Sequence, residues 1–324
     1  MSAGPLESHP GLTVTEHRVR ASEGHRLRAV TVHPEGTPLA TVLFLAGFSP
    51  DPVHLPGRES LFTPRLMADL ARAGFAALRV EKRGVGGSEG AHCRDIGFDA
   101  EQSDVRAAVR AVEGPLLLFG HSLGALHAPM VADAARDLRG MVLWGAGLRT
   151  WTEYCDALTR RAASLMGDDH AHTEEVVRAQ QRFFARVLLD GWSLDEVQAR
   201  ERAVKGYLGW FGVSDGYVHR RTAEYWRGVY EAPLAEPLVT CGAPVLAAWG
   251  ESDWLSFREE HEGIARVVND ARPGEGSFVA VPGVDHFLHA QPTMQASFDG
   301  EGRGEYAPTA VEALLPWMRA RAGA

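Results

Sequence analysis

Three polar residues are spaced along this sequence as the members of a nucleophilic site would be: Ser122, Asp253 and His286, in that chain order. Ser122 lies in Gly120-His121-Ser122-Leu123-Gly124, after an apolar run at 116–119 and before a helix-forming segment. The pattern G-x-S-x-G is weak alone. Between a strand and a helix it describes a sharp turn that lifts the serine hydroxyl clear of the backbone. Gly120 and Gly124 remove side chains where strand and helix must approach closely. A helix opening at Leu123 would aim free N–H groups and its positive dipole end at the same point. A serine hydroxyl is a poor nucleophile until a base takes its proton, and that base is ordinarily an imidazole oriented by a carboxylate. Asp253 follows the apolar run 244–249, and His286 follows the run 277–281. All three could therefore converge at one edge of a parallel sheet.

The rivals are weaker. His121 adjoins Ser122 and should point elsewhere, His127 reads as a packed helix residue, and His289 would serve only if the loop register differed. Glu251 lies closer to its strand than Asp253 does, and Asp285 is a sequence neighbour of His286, a poor position from which to hold it. Asp168, Asp169, His170 and His172 form a run that reads as a solvated helix start rather than a metal site. The glycine-dense stretch 83–90 lacks the G-x-x-x-x-G-K-[ST] spacing, so a structural loop is expected there rather than a phosphate cradle.

The elements that must position these groups follow from patterning. Residues 1–10 read as a loose arm. Strands are expected at 12–20 and 26–33, joined by a turn with Gly24 at positive φ. Buried strands are expected at 40–46, 75–80, 116–119, 140–146, 244–249 and 277–281. Helices are expected at 61–73, 99–112, 123–138, 257–269 and 309–321, and 290–306 reads as polar and irregular. The loop Gly47-Phe48-Ser49-Pro50 lies at the carboxyl end of a strand, where ligands bind in open α/β sheets. The Phe48 backbone N–H is thus expected to join that of Leu123 in holding an oxyanion. From 148 to 238 the pattern is helical, charged and aromatic, with no buried-strand run. An all-helical insertion is expected, bounded by core segments 1–147 and 239–324. Most aromatics in such a segment are core. An insertion over the strand ends should also turn some toward substrate, and Trp151, Trp210, Tyr217 and Trp226 are the candidates.

Four motifs together resemble the α/β-hydrolase family: Gly-His-Ser-Leu-Gly at 120–124, Arg-Gly-Val-Gly-Gly-Ser at 83–88, Trp-Gly-Glu-Ser-Asp at 249–253 and Gly-Val-Asp-His-Phe at 283–287. The likeness runs from about Arg26 to Arg321 and is interrupted by 148–238, which resembles the family's variable helical cap. It implies a mostly parallel, doubly wound α/β sheet and a serine hydrolase acting on a carboxylic ester, lactone or thioester. The family's epoxide hydrolases and dehalogenases, which carry Asp at the nucleophile position, are disfavoured. Many members have His-Gly after the third strand. This chain has Ala46-Gly47-Phe48, and a backbone donor survives that change.

Composition bounds the alternatives. The formal net charge is −9, without a basic stripe, which argues against a nucleic-acid partner. Three cysteines, Cys93, Cys155 and Cys241, are far apart and suggest neither a disulfide framework nor a metal cluster. No signal-peptide pattern and no membrane-length apolar run are seen, so a cytoplasmic protein is expected. No cofactor or metal is expected, and the partner is a small acyl substrate, expected to be apolar. The motifs do not indicate an oligomeric state. They do not separate hydrolysis from acyl transfer through the same acyl-enzyme. A binding scaffold without turnover is the reading from another class.

Overall fold

The computed structural model describes residues 7–49 and 62–323. The chain folds around one eight-stranded sheet. Its strands are β1 (Thr13–Arg20), β2 (Arg26–His33), β3 (Thr41–Leu45), β4 (Ala76–Val80), β5 (Leu116–His121), β6 (Leu138–Trp144), β7 (Val245–Gly250) and β8 (Gly276–Val281). Their order across the sheet is β1-β2-β4-β3-β5-β6-β7-β8. β2 runs antiparallel to both its neighbours, and every other pairing is parallel. This is the mostly parallel, doubly wound sheet expected from the sequence.

Strand alternation builds two cores. Val42, Phe44, Leu117, Phe119, Val142 and Trp144 face one layer, closed by helices α1 (Phe62–Arg72) and α12 (Thr309–Ala322). Leu43, Leu45, Leu116, Leu118, Met141 and Leu143 face the other, closed by α2 (Phe98–Arg110), α3 (Leu123–Met130) and α10 (Arg258–Ala271). Every residue of β5 is buried. Apolar positions covered on both faces are what make these strands read as continuous hydrophobic runs.

Between β6 and β7 the chain inserts helices α4 (Trp151–Met166), α5 (His170–Phe184), α6 (Leu194–Arg200), α7 (Arg202–Lys205), α8 (Ala223–Glu231) and α9 (Ala235–Thr240). The insertion is helical apart from a tight hairpin pairing Val213–Ser214 with Tyr217–Val218. It has an aromatic core of its own around Phe183, Phe184, Phe211, Tyr225 and Trp226. α4 begins with a reciprocal capping box between Thr150 and Glu153 and ends at Gly167, at φ 77°.

Some boundaries differ from the sequence expectation. The helix after Ser122 stops at Met130 rather than near 138: Val131 leaves the helical dihedrals, at φ −112° and ψ 3°, and a short 3₁₀ turn, Ala132–Ala134, follows. The stretch 290–306 is not wholly irregular, since it holds α11 (Met294–Asp299) and a two-residue strand, Glu305–Tyr306, paired with His289–Ala290. The arm is not loose throughout: Glu7 accepts both terminal nitrogens of the buried Arg79 at 2.7 and 2.5 Å. Residues 1–6, Pro50 and Leu61 lie outside the described residues. The first turn is as expected, with Gly24 at φ 91°.

The tightest approach in the sheet is at the turn after β5. A Cβ on Gly124 would lie 1.9 Å from the Leu45 carbonyl oxygen, and one on Gly120 would lie 2.6 Å from the Ala125 Cα. Both neighbours are backbone, so a methyl group is accommodated only by moving α3 away from the sheet. Gly124→Ala is therefore expected to destabilise the fold by about 1–3 kcal/mol or more. Denaturant unfolding measures this, and a midpoint equal to wild type would contradict the close approach.

Candidate active site

The elbow after β5 holds Ser122 at φ 55° and ψ −126°, a conformation L-residues rarely adopt. The Ser122 N–H donates to the Trp144 carbonyl at 2.8 Å, which ties the strained residue to the neighbouring strand β6. Ser122 lines a cavity of about 120 Å³ together with His286, Phe48 and Leu123. Leu123, the first residue of α3, carries an N–H without an intrahelical acceptor. Gly47 packs beside Ser122: a Cβ there would lie 3.1 Å from Ser122 Cβ and 3.4 Å from its Oγ.

His286 and Asp253 meet across two loops at the carboxyl ends of β8 and β7. His286 Nδ1 lies 2.8 Å from Asp253 Oδ2. Asp253 is fully buried and accepts three further donors, the Leu255 and Ser256 N–H groups at 2.6 and 3.0 Å and the Ser256 hydroxyl. Burial alone would raise its pKa. The His286 charge and these hydrogen bonds prevail and lower it to about 2. For His286, burial presses the pKa down, while the Asp253 charge and hydrogen bond and the Asp285 charge carry it above the ordinary imidazole value. The ring packs on Gly145, where a Cβ would lie 2.5 Å from His286 Cε1. The His286 carbonyl is fixed by the Trp144 indole N–H at 3.1 Å and by His121 Nε2 at 2.9 Å. Burial and the His286 charge lower the His121 pKa to about 3, so its ring is neutral and its Nε2–H is the donor to that carbonyl.

The loop bearing Gly47 and Phe48 is held from behind. Lys82 Nζ donates to the Gly47 carbonyl at 2.6 Å, and Arg221 Nη1 donates to the Phe48 carbonyl at 3.2 Å. Both cations also pair with the buried Glu101: Lys82 at 2.6 Å, and Arg221 through Nη2 to Oε2. Burial opposes ionisation of Glu101. The Lys82 charge, the nearby His127 ring and the Arg221 charge overcome it and hold the carboxyl far below the usual range. Arg221 belongs to the inserted segment and Glu101 to α2, so one ion cluster joins the insertion, α2 and the Gly47–Phe48 loop.

The other expected residues are placed as follows. Trp151 lines the cavity. Trp226 does not line it: it is fully buried behind the wall, stacked on Trp151 at 4.1 Å and edge-on to Phe48 at 5.4 Å, because its indole N–H is drawn to the Val218 carbonyl at 2.6 Å. Trp210 is 45% exposed and faces away from the cavity. Tyr217 is turned to the surface hydrogen bond its hydroxyl makes with Asp95 at 2.6 Å. Of the rivals, His289 is buried, with no hydrogen-bond partner for its ring nitrogens among the described residues, and Asp285 accepts backbone donors in its own turn. His127 stacks on Phe98 at 4.6 Å. Asp169 caps α5 by accepting the His172 N–H, and no cluster of metal-ligating side chains occurs among the described residues.

Sequence reasoning missed Lys82, Glu101 and Arg221, and it missed Tyr154, Phe257 and Glu260 in the cavity wall. The clamp spans residues 82 to 221 and has no local signature. Ser256, three residues after Asp253, was the one legible signal, as a hydroxyl placed to close a turn on the carboxylate.

The family model described as "Serine aminopeptidase, S33" (Hydrolase_4) matches residues 53–292. The chain belongs to this family of α/β-hydrolases. Among solved structures it is similar to the esterase domain of a Rhodothermus marinus protein, at 19% identity, 95% and 98% coverage of the two chains and a TM-score of 0.53. It is also similar to Est1E of Butyrivibrio proteoclasticus, solved with ferulic acid bound, at 15% identity, 95% and 100% coverage and a TM-score of 0.58. A third is DcsB, solved with a substrate analogue, at 14% identity, 96% and 100% coverage and a TM-score of 0.59. A search of curated protein sequences finds no match. No helix among the described residues is long and apolar enough to cross a membrane.

Arg221→Ala leaves the buried Glu101 with one cation fewer and the Phe48 carbonyl without its donor. A loss of about 3 kcal/mol is expected in denaturant unfolding at neutral pH. Because the folded pKa of Glu101 is depressed, its stabilisation is present above the ordinary carboxylate pKa and fades as pH falls. The gap between variant and wild type should therefore narrow toward pH 3. A gap independent of pH would refute the ion-cluster account.

Proposed function

We propose that this chain is a serine hydrolase that cleaves a carboxylic ester, lactone or thioester through an acyl-enzyme on Ser122. The observation that carries the reading is the buried His286–Asp253 hydrogen bond, at 2.8 Å, in the cavity that Ser122 also lines. Ser122 Oγ attacks the acyl carbonyl carbon while His286 Nε2 takes its proton. Asp253, held ionised, keeps the Nδ1 proton in place and offsets the imidazolium charge. The oxyanion meets the backbone N–H groups of Leu123 and Phe48, an interaction worth about 3 kcal/mol per donor in comparable sites. His286 passes the proton to the leaving alkoxide or thiolate. Water then adds to the acyl carbon, its proton taken by His286, and the acid leaves as Ser122 recovers its hydrogen. The insertion at 148–238 acts as a cap that shapes the pocket.

The family description names an aminopeptidase, and an amide would pass through the same intermediate. Recognition of a free α-ammonium requires an uncommitted anion in the pocket. Glu260, the carboxylate in this wall, is already engaged by the Leu148 and Arg149 N–H groups at 2.7 and 3.2 Å and by the Arg149 guanidinium. That favours an ester over an aminoacyl amide. Acyl transfer to an alcohol or amine differs only in the species that resolves the acyl-enzyme.

Treatment with a fluorophosphonate should add one adduct to the intact mass of wild type and none to Ser122→Ala, which should also lose turnover while remaining folded. Labelling or normal activity in that variant would end the proposal. The base must be neutral, and its pKa is raised, so activity should fall as pH drops through a midpoint above about 6.5. Asp253→Asn should lower kcat by about 10⁴-fold and move that midpoint downward. A pH–rate profile with an unmoved acid limb would contradict the role of Asp253.

A further inference from the structure

The cavity above Ser122 is not a hydrocarbon pocket. Leu126, Val229 and Leu234 supply apolar surface, but two hydrogen-bond donors on α4 share the wall, Trp151 and Tyr154. They are three residues apart, so they lie on one face of the helix, with ring centroids 5.5 Å apart. Among the described residues the buried Trp151 Nε1–H has no hydrogen-bond partner. Nor does the Tyr154 hydroxyl among the described residues: its surroundings act on it through burial and through the charges of Cys155, Asp253, Glu260 and Arg161. Burial and the negative charges hold that phenol far above its ordinary pKa, so it remains a neutral O–H donor.

These donors are fixed before any ligand arrives. The capping box at Thr150 and Glu153 anchors the start of α4. Trp151 is stacked on Trp226 at an interplanar angle of 20°, and Tyr154 stands edge-on to Phe257 at 6.4 Å. The polar side chains around them are committed elsewhere. The Ser256 hydroxyl donates to Asp253, and Glu260 is taken up by Arg149 and the backbone of 148–149. A buried donor without a partner is costly, and a wholly apolar ligand would strip any water from it without replacing the hydrogen bond.

We propose that the substrate carries a second oxygen acceptor, separate from the scissile carbonyl, and that Trp151 and Tyr154 bind it. The substrate class is then an oxygen-bearing ester, with a hydroxy, keto or alkoxy group in its acyl or alcohol half, rather than the apolar acyl ester expected from the sequence. This rests on the ester-hydrolase reading above and narrows it. Sites built to hydrogen-bond a substrate group reject analogues lacking it far more strongly than apolar pockets reject a changed methylene.

The test uses matched esters differing by one methylene-to-oxygen exchange. In the acyl half, p-nitrophenyl hexanoate is compared with p-nitrophenyl propoxyacetate, 3-ethoxypropanoate and 4-methoxybutanoate. In the alcohol half, pentyl butanoate is compared with 2-ethoxyethyl butanoate. The ratio of kcat/KM, oxygen-bearing over plain, is taken for wild type, Tyr154→Phe and Trp151→Phe, so the intrinsic reactivity of each ester cancels. For at least one pair the wild-type ratio is expected to exceed that of a variant by about tenfold. Ratios unchanged in both variants for every pair would overturn the proposal while leaving the ester reading standing. If wild type hydrolyses none of the esters, the ester reading has failed, and binding decides the inference. Calorimetry of the corresponding free acids and alcohols on Ser122→Ala should then show tighter binding of an oxygen-bearing member, lost on adding Tyr154→Phe or Trp151→Phe. Equal affinities within every pair, or no binding of any member, would overturn it.

Discussion

The close approach of α3 to the sheet constrains everything else in this molecule. Gly124 leaves no room for a side chain against the Leu45 carbonyl, and Gly120 leaves none against Ala125. With both glycines in place, the chain reverses within a few residues and Ser122 is held at positive φ. Such a conformation costs about 1–3 kcal/mol and persists because its surroundings fix it. Here the surroundings are the centre of the sheet, where β5 is buried throughout between β3 and β6. The same contact brings the β3 carboxyl end against the serine, so Gly47 lies beside Ser122 without any specific side-chain bond.

The inserted helices are coupled to the site at two loops. Arg221 reaches Glu101 on α2 and the Phe48 carbonyl. Arg161 donates to the Ser256 carbonyl at 2.6 Å, in the loop that carries Asp253, and its guanidinium lies 3.6 Å from the Phe257 ring centroid. Guanidinium suits both tasks. It stays charged when buried, and it presents several donors in one plane. A displacement of the insertion would therefore be felt at the Phe48 loop and the Asp253 loop together.

Two of the buried charge groups bear on the site. Around Asp253, one carboxylate gathers four donors beside a single imidazole. Around Glu101, one carboxylate is shared by Lys82 and Arg221. The first borders the cavity through His286 and Ser256, and the second lies behind the Gly47–Phe48 backbone. Both keep an anion ionised against the cost of burial, and neither contributes a free charge to the cavity. Besides the mutually paired Arg149 and Glu260, the polar side chains lining the cavity are those of Ser122, Ser256, His286, Trp151 and Tyr154.

The sheet strands were legible because apolar runs covered on both faces carry their own signal, and the elbow because glycine spacing around a serine reports a steric requirement. Asp253 and His286 were legible from their place after strands, since a parallel sheet gathers its strand ends at one edge. Helix ends were less so: the helix expected to run from Leu123 to about 138 ends at Met130, where Val131 departs from helical dihedrals. The aromatic residues of the insertion were not assignable by type. Trp210, Tyr217 and Trp226 are as aromatic as Trp151, yet a surface position, a hydrogen bond to Asp95 and one to the Val218 carbonyl draw them from the cavity. The Lys82–Glu101–Arg221 cluster was likewise invisible, because partners up to 120 residues apart meet only through tertiary packing. The sequence by itself determined the sheet and singled out Ser122, Asp253 and His286, through local sterics and strand patterning. Only the tertiary structure decided what surrounds them, because burial, charge pairing and unfilled donors are properties of neighbours that the chain order does not record.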